Sequence, residues 1–185
     1  MAAYHVVLVH FPIALWMTAA LAIVWRALSN GPVALAIDRA LVPLLTLGLA
    51  SGLVSIAVGL MVWPWDAVST SPMGRNHILL AVWTTAYWTV MLITRRLQGE
   101  HIWSGLGRWI MAGLAILGAG LLGITGTLGG HLAGIYTDLS KVLRALGWEV
   151  HRTFYLPDTT LAILVVAALV LVGIAWWSGK QRSPA

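Results

Sequence analysis

The sequence predicts an all-α integral membrane protein built as a bundle of five transmembrane helices. Hydrophobic residues make up 59% of the 185 residues and charged residues only 9%, whereas soluble domains carry about 25% charged residues. Five separate apolar stretches are each long enough to cross a bilayer, which takes about 20 helical residues. The chain has no room for a further soluble domain, so we expect residues 1–185 to form one membrane domain.

The five apolar stretches are separated by segments rich in turn-forming glycine and proline, where helices are expected to stop. The predicted spans cover residues 6–27, 41–63, 77–94, 109–128 and 159–177. Between the last two, apolar residues recur at helical spacing opposite charged ones over residues 138–150. This pattern predicts a short amphipathic helix on the outer side, either lying along the membrane interface or packed as a cap.

The basic residues divide unequally between the two sides of the predicted bundle. One side carries seven basic and two acidic residues, and the other carries four of each. The basic residues of the richer side are Arg26, Arg39, Arg95, Arg96, Arg108, Lys180 and Arg182. The positive-inside rule places this side in the cytoplasm. We therefore expect a bacterial inner membrane protein with a periplasmic amino terminus and a cytoplasmic carboxy terminus.

Two features of the composition limit the function. The chain has no cysteine, which excludes disulfides, thiolate metal sites, iron–sulfur clusters and covalent c-type haem. The net charge of +5 rests on very few charges, so it indicates membrane orientation and not nucleic-acid binding. A metal or cofactor would have to be held by histidine, methionine, carboxylate or backbone groups.

Five of the six histidines fall on the outer side of the predicted topology, and only His101 falls on the other. The outer histidines are His5, His10, His77, His131 and His151. Imidazole near hydrocarbon is costly unless it is paired or ligated, and neutral imidazole is the usual axial ligand of haem iron where thiolate is absent. The histidine distribution therefore predicts b-type haem at the outer face.

The axial ligands of this haem are expected among His77, His131, His10 and His5, with His77, His131 and His10 preferred. His5 and His10 lie about 140° apart on a helix, so they would not point at one iron. Four candidates allow one haem or two. Gly126 and Gly130 lie close to His131 in sequence, and we expect them to pack against the macrocycle.

Two other interpretations of the histidines remain open. Three imidazoles would also bind copper or zinc, which predicts a metal-handling membrane protein. Alternatively, the histidines only form hydrogen bonds between helices, and the chain is a cofactor-free anchor or assembly subunit of a larger complex.

The segment that follows the second span carries Trp63, Trp65 and Asp66 beside the expected histidine cluster. Two indoles and a carboxylate at the membrane boundary suit the headgroup of a quinol, with Asp66 accepting its proton. An aromatic anchor at the interface is the other interpretation of this segment.

The opening segment His5-Val6-Val7-Leu8-Val9-His10-Phe11-Pro12-Ile13-Ala14-Leu15 resembles that of an uncharacterised bacterial membrane-protein family, a domain of unknown function. The glycine-rich second span ending near Asp66, and Gly129-Gly130-His131, are similar to further motifs of that family. The resemblance covers about residues 4–135 and implies a four-helix core, to which this chain adds a fifth span. Members are sometimes joined to cytochrome c domains, which implies redox work at the outer face.

Together these observations predict a membrane b-type cytochrome subunit that carries electrons between the quinone pool and a periplasmic redox partner, a cytochrome c or a dehydrogenase. Because so little chain lies outside the membrane, we expect one subunit of a respiratory or redox complex more than a complete enzyme.

Overall fold

The computed structural model describes the backbone of residues 2–149 and 158–182, and the side chains of residues 4–149 and 159–177. This part of the chain is mostly helical and contains no strand, which confirms the predicted all-α fold. The elements are α1 (Ala2–Leu8), α2 (His10–Leu28), α3 (Pro32–Val62), α4 (Trp65–Ser69), α5 (Pro72–Gln98), a 3₁₀ helix (Gly99–Trp103), α6 (Gly107–Leu132), α7 (Leu139–Ala145) and α8 (Asp158–Arg182).

Within the described residues, five helical segments are long and apolar enough to cross a membrane, as the sequence predicts. They are Tyr4–Leu28, Pro32–Val62, Pro72–Trp103, Gly107–Leu132 and Thr159–Trp177. Two of the helices begin earlier than the apolar patterns indicate, because Pro32 and Pro72 occupy the first helical position, where proline is well tolerated. As a result Asp38 and His77 lie inside helices and not at their starts.

Helices α2, α3, α5 and α6 form the core of the bundle, and α8 packs along α5. Each core helix turns inward a set of residues spaced three or four apart, the spacing at which side chains share one helix face. The buried core residues include Trp16, Ala19, Ile23, Leu41, Leu45, Trp88, Met91, Met111, Ala115 and Leu122. Helix α8 buries Leu161 and Ala168 and otherwise stays largely exposed.

The centre of the core is a stacked pair of indoles. The rings of Trp16 and Trp88 lie 5.9 Å apart with an angle of 9° between their planes. Glycines on the neighbouring helices make room for both rings: Trp16 lies against Gly48 and Gly52 of α3, and Trp88 lies against Gly118 of α6. The small-residue row of α3 therefore serves close packing of an aromatic side chain.

Replacing Gly48 by alanine is expected to destabilise the bundle by about 1–3 kcal/mol, the usual cost of overpacking a core. A Cβ atom at position 48 would lie 2.4 Å from Nε1 of Trp16, so the buried indole would have to move. The measurement is chemical unfolding of the detergent-solubilised protein followed by tryptophan fluorescence. Gly113→Ala is the matched control, because a Cβ there meets no atom within 4 Å. Equal stability of both variants would contradict the packing argument.

The outer connection forms a shorter helix than predicted. Helix α7 ends at Ala145 instead of near residue 150, because Gly147 adopts a φ of +88° and the Trp148 N–H donates to the Leu143 carbonyl at 2.9 Å. This is a glycine-terminated helix end. Leu143 is buried against Leu128 of α6, so α7 packs on the bundle. Residue 150 lies outside the described residues.

The end of the bundle that carries Arg26, Asp38, Arg95, Arg96 and Arg108 holds a buried ion cluster; we call it the arginine end. Arg95 donates two hydrogen bonds to the Asp38 carboxylate, at 3.1 and 2.7 Å, and Arg26 lies 4.0 Å from the same carboxylate. All three side chains are at least nine-tenths buried. The sequence predicts that Arg26 and Arg95 lie on the same side of the bundle, but no local pattern predicts that they converge on Asp38.

Two further groups complete the ion cluster. Glu100, from the 3₁₀ helix, lies 3.0 Å from Arg95 and 3.5 Å from Arg26. The buried ring of Trp103 lies 5.2 Å from the guanidinium carbon of Arg26 and 5.9 Å from that of Arg95, distances at which cation–π attraction operates. The two arginines of the cluster are therefore balanced by two carboxylates, and these interactions link α2, α3 and α5 at this end of the bundle.

Candidate functional site

The opposite end of the bundle, which we call the histidine end, carries His5, His10, His77 and His131. His5, on α1, reaches across to α3, where its Nδ1 lies 3.0 Å from the Ser55 carbonyl oxygen. Its ring packs against Gly59, where a Cβ atom would lie 2.8 Å from Cε1 of the imidazole. The absence of a side chain at position 59 is therefore what lets the ring lie flat against α3.

His77, on α5, repeats this arrangement against α6. Its Nδ1 lies 3.2 Å from the Thr125 carbonyl oxygen. Its ring packs against Gly129, where a Cβ atom would lie 2.9 Å from Cε1. Two imidazoles, on two different helices, are thus each held by one backbone carbonyl and one glycine.

These hydrogen bonds fix the tautomer of both rings. A carbonyl oxygen only accepts, so Nδ1 must carry the proton and donate it. In the neutral imidazole the lone pair then belongs to Nε2, and no hydrogen bond to Nε2 of either ring occurs among the described residues. A ring that donates Nδ1–H to a carbonyl and presents Nε2 is the usual form of a metal-ligating histidine.

Two cavities meet at the two rings, since His5 and His77 line both. The smaller has a volume of about 140 Å³ and the larger about 280 Å³. A single buried water needs roughly 10–15 Å³ by the same measure, so this space suits a larger molecule. Most of the lining is apolar, which is typical of cofactor sites. Two small residues, Ala81 and Ala133, line both cavities beside the rings.

The larger cavity also contains a few polar groups. The hydroxyl groups of Thr84 and Thr125 lie 2.8 Å apart, and that of Thr125 donates to the Leu121 carbonyl at 2.7 Å. The Thr84 hydroxyl must therefore donate to Thr125. Trp16 forms part of the same lining, so the cavity lies between the histidines and the stacked indoles.

Comparisons with protein-family models, with curated proteins and with solved structures find no match. The family resemblance of the opening segment accordingly stays a prediction, and the site rests on its own geometry.

His10 has a different position from the pair. Helix α1 ends at Leu8 because Pro12 has no N–H to donate to the Leu8 carbonyl, and His10 begins α2. Its Nδ1 lies 2.6 Å from the Val6 carbonyl. His10 is exposed and lines only the larger cavity. Therefore His5, and not His10, lines both cavities together with His77.

His131 lies in the last turn of α6 and is buried against Tyr136, with ring centroids 4.8 Å apart. It is not part of the lining of either cavity. Gly126 and Gly130 line the larger cavity, and their packing against a macrocycle stays a prediction. A Cβ atom at Gly130 would meet the Ile135 carbonyl oxygen at 3.0 Å, so Gly130 also serves the end of the helix.

The residues predicted to form a quinol site are divided. Trp63 and Trp65 both line the smaller cavity, close to the histidine pair. Asp66 is exposed on α4 and lines neither cavity. The structure therefore brings the two indoles, but not the carboxylate, to the cavity.

Within residues 4–149 and 159–177, no three histidine or carboxylate side chains converge as a metal site would require. Among these residues, the copper or zinc interpretation therefore has no three-imidazole cluster to support it. His101 is exposed on the 3₁₀ helix, and His151 lies outside the described residues.

Sequence reasoning missed the role of Gly59 and Gly129, although the signal was present. His5 and Ser55 sit opposite each other only when α1 packs on α3, and no local pattern shows that pairing. However, the i, i+4 spacing places two residues on one helix face. It relates Ser55 to Gly59 and Thr125 to Gly129, so each backbone carbonyl lies on the same face as a glycine that has no side chain.

Proposed function

We propose that this chain is a membrane b-type cytochrome subunit that holds one haem b between His5 and His77. The observation that supports it best is the matched environment of the two imidazoles. Each lies on its own helix, donates Nδ1–H to a backbone carbonyl of a neighbouring helix, and packs on a glycine. Haem iron, when bound, supplies one-electron chemistry whose potential depends on its axial ligands and on burial.

The residues present fit such a cofactor. The bonds to Ser55 and Thr125 orient the rings and raise the basicity of their Nε2 atoms. The lining of both cavities is mostly apolar, as cofactor sites usually are, and Ala81 and Ala133 are small residues that line both cavities. Because His10 and His131 lie apart from the shared lining, this geometry supports one haem and not two.

The redox partners follow from the location of the site. Trp63 and Trp65 line the smaller cavity, so a quinol headgroup bound against them would be adjacent to the histidine pair. At the same end, a periplasmic cytochrome c or dehydrogenase would be the other partner. We infer an electron-transfer subunit of a larger oxidoreductase complex in which these partners reach the histidine end.

We place the chain in the bacterial cytoplasmic membrane with the histidine end on the periplasmic side. Arg39, Arg96 and Arg108 have no carboxylate partner among the described residues. An excess of such cations marks the cytoplasmic side. Lys180 and Arg182, which the sequence assigns to the same side, have side chains outside the described set.

A cofactor-free anchor is the second candidate function. The same bonds, from His5 to Ser55 and from His77 to Thr125, link α1 to α3 and α5 to α6. Interhelical hydrogen bonds of this kind stabilise membrane bundles without any ligand.

A reduced-minus-oxidised spectrum of the purified chain tests these alternatives. We expect a red protein with a Soret band, a sharp α-band in the green after dithionite reduction, and about one haem per chain, because two imidazoles give low-spin iron. The chain is expressed with haem supplementation, and iron, copper and zinc are measured in the same sample. A colourless, iron-free protein would favour the anchor, and stoichiometric copper or zinc would favour metal handling.

A further inference from the structure

The charges at the arginine end are unequally matched. Asp38 and Glu100 are the carboxylates of the cluster, and both are engaged by Arg26 and Arg95. Arg108, at the start of α6, has no carboxylate partner among the described residues. The positive charge of Arg108 is therefore not balanced by any carboxylate of the described residues.

Arg108 is nevertheless held in place. One of its terminal nitrogens donates to Oδ1 of Asn30 at 2.8 Å. Its Nε is shielded from water and lacks an acceptor in the described part of the chain, which is unfavourable for a buried donor. Oδ1 of Asn30 also accepts from Arg26 at 2.7 Å. The side-chain NH₂ of Asn30 is thus a further donor beside the guanidinium.

The helix starts around Asn30 add to the positive potential. Helix α6 begins at Gly107 and α3 begins at Pro32, and neither has an acidic residue in its first turn. The first turn of a helix favours anions and disfavours cations. Arg108 lies in such a turn. An anion bound there would compensate the charge of the guanidinium, and it would also offset the repulsion between this cation and the helix start.

Two indoles indicate the depth of this site. Trp25 of α2 and Trp109 of α6 each remain 54% exposed at the same end of the bundle. Exposed tryptophan is enriched at the level of lipid headgroups. An anion at Arg108 would accordingly lie where membrane phosphates lie.

We propose that Arg108 and Asn30 bind the phosphate of an anionic phospholipid at the arginine end. The guanidinium and the amide donate to phosphate oxygens, while Trp25 and Trp109 flank the glycerol region. Glu100, whose side chain is 68% exposed, is a carboxylate of the same end, and its charge is balanced by Arg26 and Arg95. The proposal does not depend on haem binding.

Lipid binding to the purified full-length chain, measured by native mass spectrometry, tests the site. The probes are palmitoyl-oleoyl phosphatidylglycerol, the corresponding phosphatidylcholine, and inorganic phosphate. We expect preferential retention of phosphatidylglycerol and a loss of about fivefold in its affinity in Arg108→Gln, the effect of one basic residue at a membrane surface. Arg96→Gln is the matched control, because it removes the same charge from a side chain that bonds only to Thr46 in the described structure.

Asn30→Ala keeps the net charge and should also weaken phosphatidylglycerol retention. This variant therefore distinguishes a specific site formed by Arg108 and Asn30 from non-specific electrostatic attraction. Equal losses in Arg96→Gln and Arg108→Gln would overturn the proposal in favour of diffuse surface charge. Equal retention of phosphatidylcholine would overturn it as well, and displacement of the lipid by millimolar inorganic phosphate would assign the site to a free anion.

Discussion

Replacing either His5 or His77 by alanine is expected to abolish the low-spin haem spectrum of the chain. Both rings line both cavities, and each is oriented by a carbonyl on a neighbouring helix, so neither has a substitute of the same geometry. Loss of an orienting group alone lowers metal-site affinity by about 10–100-fold, and loss of the ligand itself should have at least this effect. The α-band and the haem content per chain are the measurements.

Two histidines provide controls for that experiment. His101→Ala removes an exposed imidazole outside the histidine end and should leave the spectrum unchanged. His10→Ala should retain the α-band, because His10 is exposed and lines only the larger cavity. If His10→Ala removes the band while His5→Ala keeps it, the ligand pair is His10 with His77. Unchanged spectra in all four variants would mean that haem is held elsewhere.

Replacing Asp38 by asparagine is expected to destabilise the bundle by about 3–5 kcal/mol, the typical cost of breaking a buried ion pair from one side. Arg95 would keep at most one of its two short bonds, to the remaining amide oxygen, while the introduced NH₂ group would face a guanidinium, and Arg26 would lose its nearest buried anion. Glu100 is too exposed to replace that interaction fully. Unfolding of the detergent-solubilised protein, followed by circular dichroism, measures the effect.

Asp138→Asn is the matched control for Asp38→Asn, since the Asp138–Lys141 pair is exposed on both sides and such pairs contribute at most about 1 kcal/mol. The double variant Asp38→Asn with Arg95→Gln should recover part of the lost stability, because it removes one of the uncompensated cations. Equal stability of Asp38→Asn and the wild type would show that the ion cluster does not stabilise the folded protein.

The histidine end and the arginine end are connected by the same helix faces. On α5, His77, Thr84, Trp88 and Arg95 all point into the bundle. Successive members are separated by seven, four and seven residues, so the rest of the face can be read from the sequence once one member is known. Asp38 likewise shares the buried face of α3 with Leu41 and Leu45.

The order of apolar, basic and histidine residues along the chain predicted that it is all-helical, that five segments are long enough to cross a membrane, and that histidines lie toward one end while basic residues outnumber acidic ones at the other. These properties are local, because span length and hydropathy depend only on neighbouring residues. The tertiary structure alone decided which histidines share a cavity lining: His5 and His77 line both cavities, whereas His10 lines only the larger one and His131 lines neither. It also buried Asp38 between two arginines. Both outcomes depend on which helices pack together and how each is rotated about its axis, and close contacts such as those of Trp16 on Gly48 and Gly52 help to set that rotation.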